Sequence, residues 1–496
     1  MADFQNAWRD ALLYSEHTWG AHNSISHPDL PFVQDQWKLK QRFALEADRQ
    51  SRELLRRAGQ ESESEEIPGA IDVFNTSSWP RTDVVTVPKD ISPAGDLVLD
   101  ARDRPVLSQR LSTGELVFLA SNVGPFSASR FRVQAGTCPV HGLAKADSNR
   151  LSSSDYFVVI DEQAGNVRHL FSRTVGRELV DTNAAGSLNE YLYLPGSDVG
   201  GVERSGRPTI TIKETGPLVA SLSIESEAPG CKRLTRELRV FDQIGRLEFI
   251  DTIDKLAIRA KEGVHFRYAF NVPKGTVRMD VGWAAVRPEI DQIPAACKNW
   301  FSVQRWVDIS NDRYGVTWSP IDAPLVELGG ITANLLGSQT DYHVWIQHLV
   351  PSQTILSWVM NNHWHTNYRA DQEGPTVFRY ALQPHLSFAP EEAAKFGVSC
   401  SQPLLAFKAA GTRPAKSRLT LSSNKVLVTA LKPADDGRGY IVRLFGASGK
   451  PERVKLSWGE PSPAHVWLSD LSEEPEAEAG HAIEVPPWGI VTLRAQ

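Results

Sequence analysis

The chain changes period once. Near its start, Phe4, Ala7, Trp8, Ala11 and Leu12 recur at i, i+3, i+4, i+7 and i+8, the spacing that gathers apolar side chains on one face of a helix. A helix of about three turns is predicted there. After the breaker-rich Ser26-His27-Pro28-Asp29-Leu30-Pro31, Leu39, Phe43, Ala47 and Leu54 mark a longer second helix, which Gly59 and the run Glu61 to Glu66 should end. Residues 1–60 therefore read as a helical hairpin or partial bundle. Two helices offer little core, so each must bury its stripe against the following domains or a partner.

Beyond Pro68 the period drops to two. Short β-branched and aromatic runs alternate with Gly, Pro, Asn and Asp, the texture of antiparallel sandwiches. Asp83 to Val87 is one predicted strand. Tyr156 to Ile160 with Val167 to Leu170, and Leu234 to Phe241 with Arg246 to Ile250, are predicted hairpins. In the latter, Leu234, Arg236, Leu238 and Val240 give one face a mixed character, which leaves its register open. Small and polar residues cluster at 61–68, 144–154 and 409–417. The expected units are thus 1–60 helical, 68–148 a small β-sandwich, 149–410 a large one and 411–496 a C-terminal one. The acidic Glu473 to Glu478 reads as a solvated loop.

Composition narrows the class. With 496 residues, 41% hydrophobic and 23% charged, the chain is an ordinary multidomain globular protein. A net charge of −6 without a basic run argues against nucleic acid as a partner. No stretch approaches ~18 uninterrupted apolar residues, so no membrane span is expected, and the N-terminal segment lacks the pattern of a signal peptide. Cys138, Cys231, Cys297 and Cys400 are scattered, which fits reduced thiols in a cytoplasmic protein better than a disulfide framework or a structural zinc site.

Chemistry is sparse in local motifs. There is no G-x-S-x-G elbow, P-loop or G-x-G-x-x-G fingerprint, and paired carboxylates have no local signature to find among 59 acidic residues. His17, His22 and His27 are five apart, about 140° past a full helical turn, so they share no face and form no metal site alone. His17 could still be one ligand of a sphere completed elsewhere, or a hydrogen-bonded structural histidine. Six of the fourteen tryptophans fall between Trp300 and Trp364, interleaved with amides and Arg. Indole faces beside such groups suit a sugar, with its apolar C–H faces and hydroxyl rim, although buried core is the other reading of each Trp. Arg305, Trp306, Asn361, Asn362 and Trp364 are the candidate carbohydrate-binding residues.

Glu16-His17-Thr18-Trp19-Gly20, Val73 to Arg81, Lys261-Glu262, Gln304-Arg305-Trp306-Val307, Asp322-Ala323-Pro324-Leu325 and Asn361-Asn362-His363-Trp364 together resemble the middle and C-terminal regions of the glycoside hydrolase family 38 α-mannosidases. Ala430 to Pro433, Ile441 to Leu444 and Pro487 to Leu493 resemble that family's last β-domain. The resemblance covers nearly the whole chain. It implies a mainly β fold: an N-terminal helical hairpin or partial bundle, then antiparallel β-sandwiches, including a large galactose-mutarotase-like supersandwich. It also implies a retaining glycosidase whose nucleophile, acid/base and three zinc ligands lie on an N-terminal barrel, so that no catalytic residue is expected in this chain. His17 matches the fourth zinc ligand, and Glu16 stands where relatives often carry another His. Zinc is expected to bind weakly or not at all to this chain alone. The implied partners are mannose-containing glycans and a separate catalytic barrel. A free-standing carbohydrate-binding or scaffold protein is the alternative, and an independent enzyme with a new site on the sandwich is a third reading.

Overall fold

The computed structural model describes residues 2–16, 19–60, 66–182, 186–332, 343, 345–363 and 367–496. Helix α1 (Ala2–Ser15) and helix α2 (Pro31–Gln60) form the expected hairpin. Their contact does not use the stripe that predicts α1: Phe4, Trp8 and Leu12 are 53, 59 and 64% exposed, whereas Asp10 is buried and accepts from Gln50 Nε2 at 2.7 Å. Buried Lys40 of α2 donates to the carbonyls of Leu13 at 2.7 Å and Glu16 at 3.2 Å, neutralising the C-terminal end of α1 where carbonyls lack helical partners. Gly59 lies inside α2, not beyond its end. A Cβ there would stand 2.0 Å from the Phe407 ring, so this glycine allows the helix to close on the sandwich below.

All strand pairing among the described residues is antiparallel. The small sandwich faces a five-stranded sheet against the three strands Arg81–Val87, Leu116–Val123 and Ser108–Arg110, around Ile71, Val73, Val85, Phe118 and Phe131. The five-stranded sheet includes Leu405–Ala410, paired with Glu66–Asn75, so the unit expected to end at 410 gives its last strand to the small sandwich. The boundary expected at 148 also cuts a hairpin, because Asp147 pairs with Arg150 and both flanking strands extend the large sandwich.

The large sandwich packs an eleven-stranded sheet on a nine-stranded one around a single apolar core. Its hairpin Cys231–Phe241 with Leu247–Lys255 has the register Val240 opposite Leu247. The mixed face points inward: Leu234, Leu238 and Val240 are buried with Arg236, whose guanidinium donates to the carbonyls of Asn189 and Ala164. Helix α3 (Pro390–Ser401) connects this sandwich to the strand Leu405–Ala410 and was not predicted. Its Ala393, Ala394, Phe396 and Val398 are buried, and Pro at the first turn suits a helix start. The C-terminal sandwich is built on the strands Val426–Pro433, Tyr440–Gly446, Ile490–Ala495, Val466–Ser469 and Pro475–Glu478. The last of these takes in the Pro475–Glu478 part of the acidic segment expected to be a solvated loop, and its four residues are exposed.

Candidate functional site

The outer face of the eleven-stranded sheet is where polar and aromatic groups converge. Along Glu262–Ala269, alternation sends Val264, Phe266 and Tyr268 into the core and leaves Gly263, His265 and Arg267 on the other face. The neighbouring strand Thr354–Asn361 buries Ile355 and Met360 in the same core. A register shift follows, Val264 opposite Met360 but His265 opposite Trp358, leaving Val359 as the extra residue. This bulge brings Asn361, opposite Gly263, to the same face as Trp358 although the two are three residues apart. On the next strand, Leu325–Leu328, Glu327 lies between inward-packed Val326 and Leu328 and so joins that face.

The His265 ring stacks on the Trp358 indole, with centroids 6.0 Å apart and planes at 2°. Trp300 meets Trp358 edge-on at 6.0 Å, and His363 lies tilted against it at 6.2 Å. His265 and Glu327 are both fully buried, with Nε2 and Oε2 2.9 Å apart. The two side chains thus form a close buried pair. The other Glu327 oxygen accepts from the Thr332 amide at 2.9 Å. Burial, reinforced by the charges of His265 and Lys261, holds the His363 imidazole down to about 4 against the opposing pull of Glu327. His363 is therefore a neutral ring near pH 7.

The chain Trp19-Gly20 reaches this end of the sandwich. Both backbone amides donate to the Asn367 carbonyl, at 2.8 and 2.9 Å. The Ser24 hydroxyl donates to Tyr368 O at 2.6 Å and accepts from Trp37 Nε1 at 2.8 Å. The segments flanking His17 and those flanking Trp364, distant in sequence, thus meet. His17 and Trp364 themselves lie outside the described residues.

The other candidates take different roles. Asn362 is a buried clamp whose Nδ2 donates to the carbonyls of Ile258, Ala260 and Ala370, so its side chain is committed to the backbone. Asn361 is half-buried and its Oδ1 has no partner. Trp306 is 1% exposed and packs on Phe388, which corrects its expected place on a sugar platform: it is core. Arg305 stacks over the Trp283 ring at 4.4 Å, and Trp283 in turn touches Phe445 of the C-terminal sandwich at 5.5 Å. Arg305 serves a seam between sandwiches, beside buried Asp280, whose carboxyl desolvation pushes up to about 6. The structure therefore does not gather Arg305, Trp306 and Asn361 into one surface. His265, Glu327 and Trp358 were missed; the alternation Gly263-Val264-His265-Phe266-Arg267 was the signal that could have found His265. Among the described residues, no group of three His, Cys, Asp or Glu is placed to hold a metal ion.

Residues 425–493 match the model of the glycosyl hydrolases family 38 C-terminal beta sandwich domain. None of the curated proteins matches the chain in sequence. Among solved structures, the chain is similar over 100% of its length to an alpha-mannosidase from Enterococcus faecalis V583, with TM-score 0.73 and 15% identity, covering 63% of that chain. A glycosyl hydrolase family 38 protein from Enterococcus faecalis is matched over 100% of this chain and 66% of its own, with TM-score 0.68 and 16% identity. A galactose mutarotase-like protein from Lactobacillus casei ATCC 334 matches over 49% of this chain and 100% of its own, with TM-score 0.30 and 11% identity. The chain thus spans less than two thirds of the length of the Enterococcus alpha-mannosidase. It carries a glycosyl hydrolase family 38 C-terminal β-sandwich domain and, along its whole length, the fold of part of that alpha-mannosidase.

Proposed function

We propose that this chain is the non-catalytic, β-rich part of an α-mannosidase-like retaining glycoside hydrolase and supports hydrolysis of α-mannosides when combined with a catalytic barrel. The observation that carries this reading is the whole-chain fold similarity to the Enterococcus alpha-mannosidase, together with the family 38 sandwich at 425–493. The barrel supplies the two carboxylates and three zinc ligands, and His17 supplies a fourth ligand. Exposed Phe4, Trp8 and Leu12, four apart along one face of α1, form an apolar stripe suited to docking it. The four cysteines are free, and no helix among the described residues is long and apolar enough to cross a membrane. A cytoplasmic, reduced setting fits the thiols.

The test is reconstitution. The chain alone should give no aryl α-mannoside turnover above background, and adding a family 38 barrel domain with zinc should restore it. His17→Ala should lower zinc retention and turnover of the reconstituted pair, and Trp8→Glu should weaken their association. Turnover by the chain alone that vanishes on mutating one of its own carboxylates would replace this reading with an independent enzyme. Glycan binding with no response to any barrel would favour the free-standing binding protein.

A further inference from the structure

The C-terminal sandwich is not filled to its end. Its core includes Val442 and Leu493, which stand opposite each other on neighbouring strands. Strand pleat repeats a face every second residue, so Tyr440, two before Val442, and Ala495, two after Leu493, share that core face, as does Leu431 opposite Val442. From the facing layer, the short pair Leu419–Leu421 with Leu456–Trp458 sets buried Leu419 opposite Trp458, and both pack on the same core. Tyr440 is nevertheless 50% exposed, because nothing from the other layer covers it. The space left between the layers is a cavity of about 570 Å³, also lined by Pro461 and Pro463 of the segment that follows Trp458. It opens to solvent at Tyr440, and its size falls in the range of roughly 300–1,000 Å³ usual for small-ligand sites.

The chemistry of the lining selects the occupant. Leu431, Tyr440, Trp458 and the two prolines offer apolar and aromatic surfaces that suit a flat ring. Arg418 is the single charged side chain among the lining residues. It is exposed, and the one hydrogen bond of its guanidinium among the described residues runs from Nη1 to the Glu460 carbonyl at 3.3 Å. The rest of the donor fork is unspent, and its geometry matches a carboxylate. A sugar fits less well. Its hydroxyls would meet only the Ser462 hydroxyl and the Gln496 amide, whose nitrogen already donates to the Arg438 carbonyl at 3.1 Å, and burying hydroxyls without partners is costly. A cationic ligand would be repelled by Arg418.

We propose that the open end of the C-terminal sandwich is a binding site for an aromatic carboxylate, with the ring against Leu431, Tyr440 and Trp458 and the carboxylate on the Arg418 guanidinium. The site goes beyond mannoside hydrolysis, since its ligand is an acid and not a neutral glycoside, and it needs no barrel, because every named group belongs to this chain. Gly459 holds the cation beside the apolar wall. Its amide donates to the Arg418 carbonyl at 3.0 Å, and a Cβ there would stand 2.2 Å from Ser417 O, so only glycine lets these two segments close on each other. A ligand that bridges the two layers stabilises the folded sandwich by mass action.

The experiment titrates the full chain, without a barrel, with β-naphthoate, with β-naphthamide as its neutral counterpart, and with methyl α-D-mannopyranoside. Calorimetry gives the affinities, and fluorine NMR of fluorotryptophan-labelled chain follows the Trp458 signal, assigned through Trp458→Phe. Naphthoate should saturate, shift that signal and bind about tenfold more tightly than the amide, the ratio expected for a charge-assisted hydrogen-bonded pair. Arg418→Ala, at an exposed position, should abolish this preference while leaving the weaker amide affinity in place, and Arg418→Lys should restore part of it. Tyr440→Ala should weaken both ligands. Arg104→Ala, on the small sandwich and paired with Asp100, should bind like the parent. Unfolding curves establish that each variant is folded, and naphthoate should raise the midpoint of the parent. No saturable naphthoate response at Trp458 overturns the proposal, and so does a carboxylate preference that survives in Arg418→Ala. Saturation by the mannoside in place of naphthoate overturns it in favour of a sugar site. Reconstitution of mannosidase turnover is a separate readout, so either idea can fail while the other stands.

Discussion

The backbone amide of Gly20 donates to the carbonyl of Asn367 at 2.9 Å, joining positions 347 residues apart. Through this bond and its Trp19 neighbour, the turn between α1 and α2 is seated on the loop that follows the strand Thr354–Asn361. The helical hairpin is therefore held at the end of the large sandwich that carries the His265 and His363 cluster.

The Ser24 hydroxyl is the internal link of that junction. It is fully buried and bonds both Trp37 Nε1 and Tyr368 O. Ser24→Ala leaves a buried donor and a buried acceptor without partners, which should cost about 1–3 kcal/mol. Hydrogen exchange should show the loss concentrated in residues 19–37 and 367–371. Unchanged protection in both segments would contradict the link.

Lys255 and Glu262 form an ion pair with Nζ and Oε1 2.6 Å apart and side chains 1% and 5% exposed, and Tyr193 donates to the other Glu262 oxygen at 2.8 Å. Lys255→Met strands a buried carboxylate and should destabilise by about 3–5 kcal/mol. The double variant Lys255→Met/Glu262→Gln removes both charges and should recover most of the loss. Urea midpoints of the three proteins decide. A double variant as unstable as the single one would mean the pair acts through packing alone.

The pH dependence should come from opposing groups, the buried carboxyls Asp251 and Asp280 against His363. Burial lifts the Asp251 carboxyl from 3.8 to about 7, against the Asn189 hydrogen bond and the Arg236 charge. The folded chain then binds a proton that the unfolded chain has released, so this group removes stability as pH rises from about 4 to about 7. His363 runs the other way: held down to about 4 from 6.5, it removes stability as pH falls through that window. Asp280, lifted to about 6, acts in the same direction as Asp251, so in the parent stability falls with pH across this window. Asp251→Asn should leave it nearly flat between about 4.5 and 6, where Asp280 and His363 offset, and His363→Gln should make it fall more steeply. Identical slopes in both variants would refute the assignment.

Gly59 tests the seating of α2. Alanine is the better helix former by about 1 kcal/mol, so an unconstrained site should gain stability from Gly59→Ala. The close approach of Phe407 reverses that expectation, because the new methyl forces the ring aside at a cost of about 1–3 kcal/mol. Adding Phe407→Leu should restore the helical gain. Calorimetry of the single and double variants reads the coupling, and stabilisation by Gly59→Ala alone would show that the ring yields freely.

Periodicity was enough for the two N-terminal helices and for several strands, though not for α3. The 3.6-residue repeat of Phe4, Trp8 and Leu12 marked a helix, and period-two runs such as Tyr156 to Ile160 marked strands, because backbone geometry fixes which neighbours share a face. Periodicity did not say what that face meets. The α1 stripe points to solvent, while Arg236, polar in the sequence, points into the core, since burial depends on what packs opposite and on whether a buried charge finds carbonyls. The motifs around His17 and Asn361 were legible as residue types, but their meeting required the Asn367 carbonyl to be folded against Gly20. Trp306 and Trp364 look alike in sequence, yet the fold places Trp306 in the core. Nothing local announced the convergence of Trp358 and Asn361 on one face either. It is made by one bulged residue, Val359, and by cross-strand pairing of segments about 100 residues apart, and register of that kind is set by the packing of the whole sheet.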